Sequence, residues 1–389
     1  MKSLSKLAAL AAFSLLGLSA SAQTLSYLGQ QIVPTGTPFQ GIAVGGLSSL
    51  DFSAATGHYL AISDDRSDIA PARFYELALD LSRFRRTATP GSEGVRFIAM
   101  TTMQDLDGHP FGRNRVDPEG LRLDARRRLI YWCNEGQRKN GDMQNPTVRR
   151  MQLDGSPAGE FPVPSYYFPV GSAGGLAAGD MGVYNNLAFE SIALTPDGRT
   201  LWTMTENALA QDDLPTAVGR TSRARLLSFD LDTGRAGAEY VYDVGPVAFA
   251  PARAGDFATN GVADMLALSD HEFIAIERSY AVGATTPGVA AATGKPTSNT
   301  IRLYLIDTTG ATNVAGWPSI KGRDVVPARR RLLLDLSTLK NDDGSTLAVD
   351  NLEGITFGPS VNGKRTLVLV SDNNFNPEQF TQFVALTVD

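Results

Sequence analysis

The segment Glu119-Gly120-Leu121-Arg122-Leu123 indicates a repeat protein, because variants of it recur along the chain. The other copies are Gly46-Leu47-Ser48-Ser49-Leu50, Glu190-Ser191-Ile192-Ala193-Leu194, Asp264-Met265-Leu266-Ala267-Leu268 and Glu353-Gly354-Ile355-Thr356-Phe357. Turn-forming residues and a second apolar run follow each copy, which is the pattern of paired strands. Residues 40–389 show no sustained helical periodicity, so the repeat is predicted to be built from strands.

Four strands can be assigned to most repeats. The second strand ends on polar residues, and the third begins on an arginine or, in the last repeat, a glutamine. Candidates for the fourth strand are residues 95–103, 161–170, 238–244 and 331–336. The fifth repeat reaches the C-terminus after three strands, so residues 25–33 are predicted to supply its missing strand.

Repeated four-stranded units of this kind close into a ring that leaves only short, protected edges. We therefore predict an all-β propeller with five blades, closed by the N-terminal strand. Six blades is the alternative, and it requires one of the longer connections to hold a further blade. The insert at residues 281–300, rich in Gly, Ala, Thr and Pro, is predicted to be a mobile loop.

The first 22 residues have the features of a signal peptide. Lys2 and Lys6 precede the apolar residues 7–18, and Ala20-Ser21-Ala22 is a small-residue cleavage signal. We expect a periplasmic or secreted protein, cleaved near Ala22, in which residues 23–389 form a single propeller domain. No later stretch approaches the ~20 apolar residues of a membrane span.

The composition narrows the classes of partner. There are 35 basic and 41 acidic residues, a net charge of −6, which disfavours nucleic acid as a partner. The one cysteine, Cys133, cannot close a disulfide within the chain, and its apolar neighbours predict a buried, inert thiol. The oligomeric state stays open.

Polar side chains are predicted to converge at one rim of the ring. In an antiparallel blade the start of the first strand, the end of the second and the start of the third lie at the same edge. The groups expected there are Glu119, Glu135 and Arg149; Glu190, Glu206 and Arg225; Asp264, Glu277 and Arg302; Glu353, Asp372 and Gln382; and Asp64, Asp65 and Arg73. Crowded carboxylates repel one another, so such a rim needs cations.

Calcium is the metal that this set of side chains favours, because it takes six to eight oxygens from carboxylates, amides and carbonyls. The chain has only 3 histidines, which disfavours zinc. The predicted metal ligands are Asp64, Glu119, Glu190, Glu353, Asp372 and Asn373.

Arginines could supply the remaining positive charge, since a guanidinium pairs with carboxylate or phosphate in a bidentate fashion. Arg73, Arg149, Arg225 and Arg302 open the third strands and are the candidates for this role. The alternative is structural: each arginine would simply tie the strands of its own blade together.

Several motifs in order resemble a known family. They are Gly45-Gly46-Leu47-Ser48 with Ser63-Asp64-Asp65-Arg66, Asp117-Pro118-Glu119-Gly120-Leu121, Phe189-Glu190-Ser191-Ile192-Ala193, and Asn351-Leu352-Glu353-Gly354-Ile355 with Ser371-Asp372-Asn373-Asn374-Phe375. Residues 40–388 resemble the phytase-like family described as "esterase-like activity of phytase". The resemblance implies an extracytoplasmic propeller hydrolase of phosphate esters or other esters that uses calcium. It also implies that the rim acids bind the metal and that the four arginines contact substrate.

Two functions remain open on the sequence. The first is a metal-assisted hydrolase of a small anionic or ester substrate, with Glu135 or Glu206 as general base. A G-x-S-x-G elbow and a Walker loop are both missing from the sequence, which disfavours serine catalysis and nucleotide binding. The second is a non-catalytic, calcium-stabilised propeller that binds a ligand or a protein partner.

Overall fold

Five antiparallel sheets of four strands surround a central channel in the computed structural model, which describes residues 24–388. From the channel outward, blade 1 contains Leu47–Ser53, His58–Ser63, Arg73–Leu79 and Val95–Thr102. Blade 2 contains Pro118–Asp124, Leu129–Asn134, Thr147–Gln152 and Pro157–Phe161. Blade 3 contains Phe189–Leu194, Thr200–Ala208, Ser222–Asp230 and Ala236–Val244.

Blade 4 contains Ala258–Ala267, Glu272–Ala281, Asn299–Asp307 and Arg329–Asp335. Blade 5 contains Leu352–Val361, Lys364–Ser371, Phe380–Val388 and, outermost, the N-terminal strand Leu25–Pro34. Each inner strand contacts the inner strands of both neighbouring blades, and the fifth contacts the first. The ring is therefore closed with five blades, as predicted.

The N-terminal strand closes the ring in the way that the sequence predicts. It pairs antiparallel with the last strand of the chain, from Leu25 opposite Val388 to Pro34 opposite Phe380. The two ends of the described chain are thus held in one sheet by backbone hydrogen bonds. The predicted signal peptide, residues 1–22, lies outside the described residues.

One predicted strand is wrong in position. The outer strand of blade 2 is Pro157–Phe161 and not residues 161–170. Pro162, Pro164 and Pro169 lack the N–H that a strand ladder needs, so the sheet cannot extend past Phe161. The short helix Ser165–Tyr167 follows instead.

The remaining elements are short. Two further 3-10 turns are Leu81–Arg83 and Leu336–Thr338. Three small hairpins pair Pro38–Phe39 with Ile42–Ala43, Gln137–Lys139 with Asp142–Gln144, and Val289–Ala290 with Lys295–Pro296. The last of these lies in the insert 281–300, which therefore contains local sheet structure. No helix in residues 24–388 has the length and apolar character needed to cross a membrane.

The core is divided among the five interfaces between blades. For example, Trp202 and Met204 of blade 3 pack with Phe273 of blade 4 in one cluster. Each interface buries its own apolar cluster, so the ring depends on all five contacts. Cys133 is buried between blades 2 and 3, and it is a free thiol.

A charged pair lies across the channel. Arg122 of blade 2 makes a bidentate contact with Asp264 of blade 4, at 3.0 and 2.9 Å. The same guanidinium donates to the carbonyls of Met265 and Ile355 at 2.7 and 3.1 Å, and to Ser49 Oγ at 3.0 Å. One side chain therefore connects four blades at the axis, where it is almost fully buried.

Candidate functional site

A cavity of about 1130 Å³ opens at the end of the channel where the inner strands begin. Eight acidic residues from four of the five blades and their loops take part in its lining: Asp64, Glu119, Glu190, Glu206, Asp350, Glu353, Asp372 and Glu378. Loops of blade 5 and the insert of blade 4 form the outer wall. The predicted convergence of acids at one rim is thus present in the structure.

A β-bulge lies near the start of each inner strand, and in three blades the bulge holds a glutamate that lines this cavity. The register shifts enclose Ser48, Glu190, Ala263 and Glu353, and in blade 2 they enclose Glu119 together with Gly120. A bulge redirects a side chain that regular pleating would point elsewhere. Three of the five bulged positions carry glutamate, which explains why Glu119, Glu190 and Glu353 meet.

A second ring of residues comes from the ends of the second strands. In four blades the N–H of an acid donates to a carbonyl at the start of the inner strand, which holds the acid beside the bulge. These acids are Asp64, Glu135, Glu206 and Asp372. In blade 4 the equivalent position, paired with Gly261, is Arg278. The ring therefore holds four acids and one arginine.

The carboxylates form two compact groups that share one member. Oxygens of Asp117, Glu119 and Glu135 lie within 4.8 Å of one another, and so do oxygens of Glu135, Glu190 and Glu206. Glu135 also accepts a hydrogen bond from the Ala188 N–H at 2.8 Å. Within residues 24–388, these groups have the donor type and spacing that a hard divalent cation requires.

One carboxylate oxygen of Glu206 lacks a hydrogen-bond partner. Its Oε1 contacts Arg278 Nη2 at 3.1 Å, whereas its buried Oε2 has no hydrogen-bond partner. Only 1% of the residue is exposed, and it lines the cavity. A buried, unpartnered carboxylate oxygen is costly. This oxygen is therefore available to a cation or to a proton donor.

The carboxyl groups resist ionisation as a set. Burial, followed by repulsion from Glu353, raises the pKa of Asp64 to about 8. Burial also raises the pKa of Glu206 to about 7, although Arg278 opposes the shift. Burial and mutual repulsion hold the pKa values of Glu119, Glu135 and Glu190 well above the ordinary range. The cluster therefore favours bound protons or a bound cation over a set of bare carboxylates.

Two arginines supply positive charge at the site. Arg278 Nε lies 3.3 Å from Glu353 Oε1, in addition to its contact with Glu206. Arg66 Nη2 lies 2.5 Å from Asp117 and 3.9 Å from Glu135, and it donates to Asn186 Oδ1 at 2.7 Å. Both arginines line the cavity and can present N–H groups to an anionic ligand.

Of the predicted metal ligands, five line the cavity and one does not. Asn373 is fully buried to one side, where its Oδ1 accepts from the N–H groups of Gly46 and Phe375. Its Nδ2 donates to Thr35 Oγ1 at 3.2 Å. The amide thus joins blade 5 to the loops before blade 1, and we withdraw it from the candidate ligands.

The four predicted substrate arginines are elsewhere, and each pairs with nearby acids. Arg73 contacts Asp65 at 2.6 Å, and Arg302 contacts Asp335 at 2.8 Å. Arg225 is fully buried between Asp212 and Glu239, at 2.6 and 2.8 Å. Arg149 contacts Asp105 and Glu160, both at 2.8 Å. None of the four is among the described residues that line the cavity. Their contacts fit the alternative reading, in which these arginines hold the protein structure together.

Blade 4 departs from the predicted pattern by one residue. Its bulge lies at Ala263, so Asp264 enters the axial pair with Arg122 and does not reach the cavity. Glu277 turns away as well, toward Tyr242 and Arg330 at 2.7 and 2.5 Å. Arg278 occupies the position that was expected to hold an acid. Alignment of the repeats without the bulge concealed this shift.

Arg66, Asp117 and Arg278 are the site residues that the sequence reasoning did not assign. Each is adjacent to an assigned or aligned residue: Arg66 follows Asp64-Asp65, Asp117 precedes Pro118-Glu119, and Arg278 follows Glu277. A search for charged residues within two positions of the repeat ends would have included them.

The fold and site together define a β-propeller with an acidic cavity, suited to binding a cation, at one mouth of its channel. The chain belongs to the Phytase-like family, whose description is "Esterase-like activity of phytase"; the match spans residues 42–375. That description associates the family with ester hydrolysis.

Solved structures of other propellers are distantly similar. "Structure of Dos1 propeller" is 8% identical with a TM-score of 0.34, and the match covers 88% of this chain and 68% of that one. "Crystal structure of Myceliophteria_thermophila Cps50 (Swd1) beta-propeller domain" is 11% identical with a TM-score of 0.31, covering 89% and 97%. Neither similarity bears on function. No curated protein matches the chain.

Proposed function

We propose that this protein is an exported, calcium-dependent hydrolase of phosphate esters or other esters that acts in the acidic cavity. The observation that carries the proposal is a pair of carboxylate clusters that have Glu135 in common. One of these clusters includes Glu206, whose Oε2 has no hydrogen-bond partner. The membership of the Phytase-like family supports the reaction class. The signal-peptide pattern of residues 1–22 supports export to the periplasm or the medium.

The donor set fits calcium. Asp117, Glu119, Glu135 and Glu190 offer hard oxygen donors, and no histidine is part of the described cavity lining. A calcium ion held there would act as a Lewis acid that polarises an ester oxygen.

The chain's own groups account for binding and proton transfer. Arg278 and Arg66 would hold the anionic oxygens of the substrate, since both guanidiniums line the cavity. Glu206 Oε2, which has no competing hydrogen bond, would accept a proton from water. The water oxygen bonds to phosphorus or to the acyl carbon, and the bond to the leaving-group oxygen breaks. That oxygen departs with the bonding electrons and takes a proton from Glu206 or from solvent. Glu135 is equally buried but is not among the described cavity-lining residues, and its contact with the Ala188 N–H suits it to holding the cation.

The direct test is an assay with p-nitrophenyl phosphate and p-nitrophenyl acetate, in calcium and in chelator. We expect calcium-dependent turnover of the phosphate ester in preference to the acetate, because two arginines favour an anion. Glu190→Gln should weaken calcium binding by about 10-fold in calorimetry, because it removes one charged ligand. Calcium binding without turnover of either ester would instead support the non-catalytic propeller.

Stability should depend on pH and calcium together. The pKa of Asp64 is raised to about 8 and that of Glu206 to about 7. A carboxyl with a raised folded-state pKa favours the folded protein at low pH, and this contribution is lost as pH rises toward the folded-state value. The metal-free protein should therefore melt at a lower temperature at pH 8 than at pH 5.

Calcium should oppose that loss, because it replaces the protons. A ligand at 100 times its dissociation constant adds about 2.7 kcal/mol to the free energy of unfolding. Thermal unfolding in calcium and in chelator, at both pH values, measures the effect. Glu206→Gln is the control, and its metal-free form should lose less stability between pH 5 and pH 8. An equal calcium effect at both pH values would contradict the prediction.

A further inference from the structure

Blade 4 gives the cavity an aromatic and apolar wall. Phe257, which is 64% exposed, and Tyr280 both line it, with ring centroids 6.3 Å apart. Val282, itself 37% exposed, extends the wall, and its N–H donates to the Phe257 carbonyl at 3.0 Å. An exposed phenylalanine that lines a cavity presents an apolar surface to whatever the cavity binds.

This wall lies beside Arg278, the arginine that is proposed to bind the anionic part of the substrate. Tyr280 and Arg278 lie two residues apart on the strand Glu272–Ala281, so their side chains project from the same face. Two residues of a strand span about 7 Å. A ligand whose anionic oxygens contact Arg278 would therefore bring a group of aromatic-ring size against Phe257 and Tyr280.

The rest of the cavity disfavours a polyanion. Three basic side chains, Arg66, Arg278 and Lys295, face eight acidic ones among the described lining residues. Lys295 is at the rim, where it contacts Glu378 at 3.6 Å. Additional phosphate groups on a substrate would meet carboxylates and not a further cluster of cations.

We infer that the substrate is an ester with one anionic group and an aromatic organic group, and that Phe257 and Tyr280 form the subsite for that ring. This inference rests on the proposed function for the anionic end of the ligand. The ring subsite is defined independently, by the exposed Phe257 and the half-buried Tyr280 of blade 4.

The test is binding of two non-hydrolysable probes to the calcium-loaded protein by calorimetry. Phenylphosphonate should bind about 10-fold more tightly than methylphosphonate, because its ring is removed from water against the wall. Phe257→Ala should reduce this preference to less than 3-fold while leaving methylphosphonate affinity unchanged. Phe249→Ala is the matched control, because Phe249 is also exposed (38%) but does not line the cavity.

The outcomes separate this inference from the proposed hydrolysis. A preference for phenylphosphonate that requires Phe257, without turnover of any ester, supports the ring subsite and refutes the hydrolase. Turnover with equal affinity for both probes refutes the ring subsite and leaves the hydrolase standing. Absence of binding for both probes also refutes the subsite. Phe257→Leu, with an intermediate apolar surface, should show an intermediate preference.

Discussion

Replacement of Glu206 with glutamine is expected to lower kcat for p-nitrophenyl phosphate by about 10²- to 10⁴-fold, the range that general acid–base groups contribute. Glu206 Oε2 is buried in the cavity lining and has no hydrogen-bond partner, so it is free to accept a proton from water. The amide has the same size but cannot act as a base. Steady-state kinetics in saturating calcium measures the loss.

The folded structure should survive this change. An added Cβ at Gly261 would overlap the Glu206 side chain, so the site is closely fitted around a residue of this size, and glutamine keeps that size. Glu378→Gln is the matched control, since Glu378 is at the cavity rim, is 72% exposed and has no assigned role in proton transfer. It should retain activity within about 2-fold, in line with surface changes generally. A Glu206→Gln protein with more than a tenth of the wild-type kcat would rule out the assigned base.

Replacement of Arg122 with methionine is expected to reduce the free energy of unfolding by about 3–5 kcal/mol, the cost of leaving one partner of a buried ion pair unpaired. The guanidinium is the shared donor for Asp264, Met265, Ile355 and Ser49 across the channel. Its loss leaves the Asp264 carboxylate buried with fewer donors. Urea or thermal unfolding measures the change.

The stability lost in Arg122→Met should increase with pH. Burial raises the pKa of Asp264 to about 6 even though Arg122 lowers it, so removal of Arg122 should raise that pKa further. The protonated carboxyl is then favoured in the folded state, and its stabilising contribution is lost as pH rises. Arg122→Met should consequently be more destabilised at pH 8 than at pH 5.

Two comparisons test this interpretation. Arg329→Met removes an ion pair to Asp307 in which the arginine side chain is 69% exposed. It should lower the free energy of unfolding by less than about 1 kcal/mol. Combining Arg122→Met with Asp264→Leu should recover much of the loss, because a buried pair replaced by apolar groups is often neutral. A double variant no more stable than Arg122→Met alone would show that the axial pair does not act as a unit.

Much of the architecture follows from local patterns in the sequence. The alternation of apolar runs and turns located nearly all strands, because side-chain period and turn chemistry are local properties. The missing strand of blade 5 could be inferred from the repeat count, and it is Leu25–Pro34. The outer strand of blade 2 was misplaced because the apolar residues after Phe161 outweighed the prolines among them.

The site was predicted less completely. Glu119, Glu190 and Glu353 recur at one position of the repeat, so their convergence could be expected from the ring alone. The roles assigned to the four third-strand arginines depended on side-chain direction, which the repeat does not specify. In the structure each of them is engaged by an acid such as Asp65, Asp212 or Asp335.

Periodicity and composition predicted the strand order within a blade and an acidic mouth of the channel, and they favoured five blades over six. The choice of charges that face the cavity depends on contacts between blades, which no local pattern contains. Every inner strand has this bulge, but in blade 4 the bulged position holds Ala263, so the acid one residue later, Asp264, lies at the axis. Arg278 takes the second-strand position that holds an acid in the other blades. The physical reason is the two-residue period of a strand, in which a shift of one position reverses the direction of a side chain.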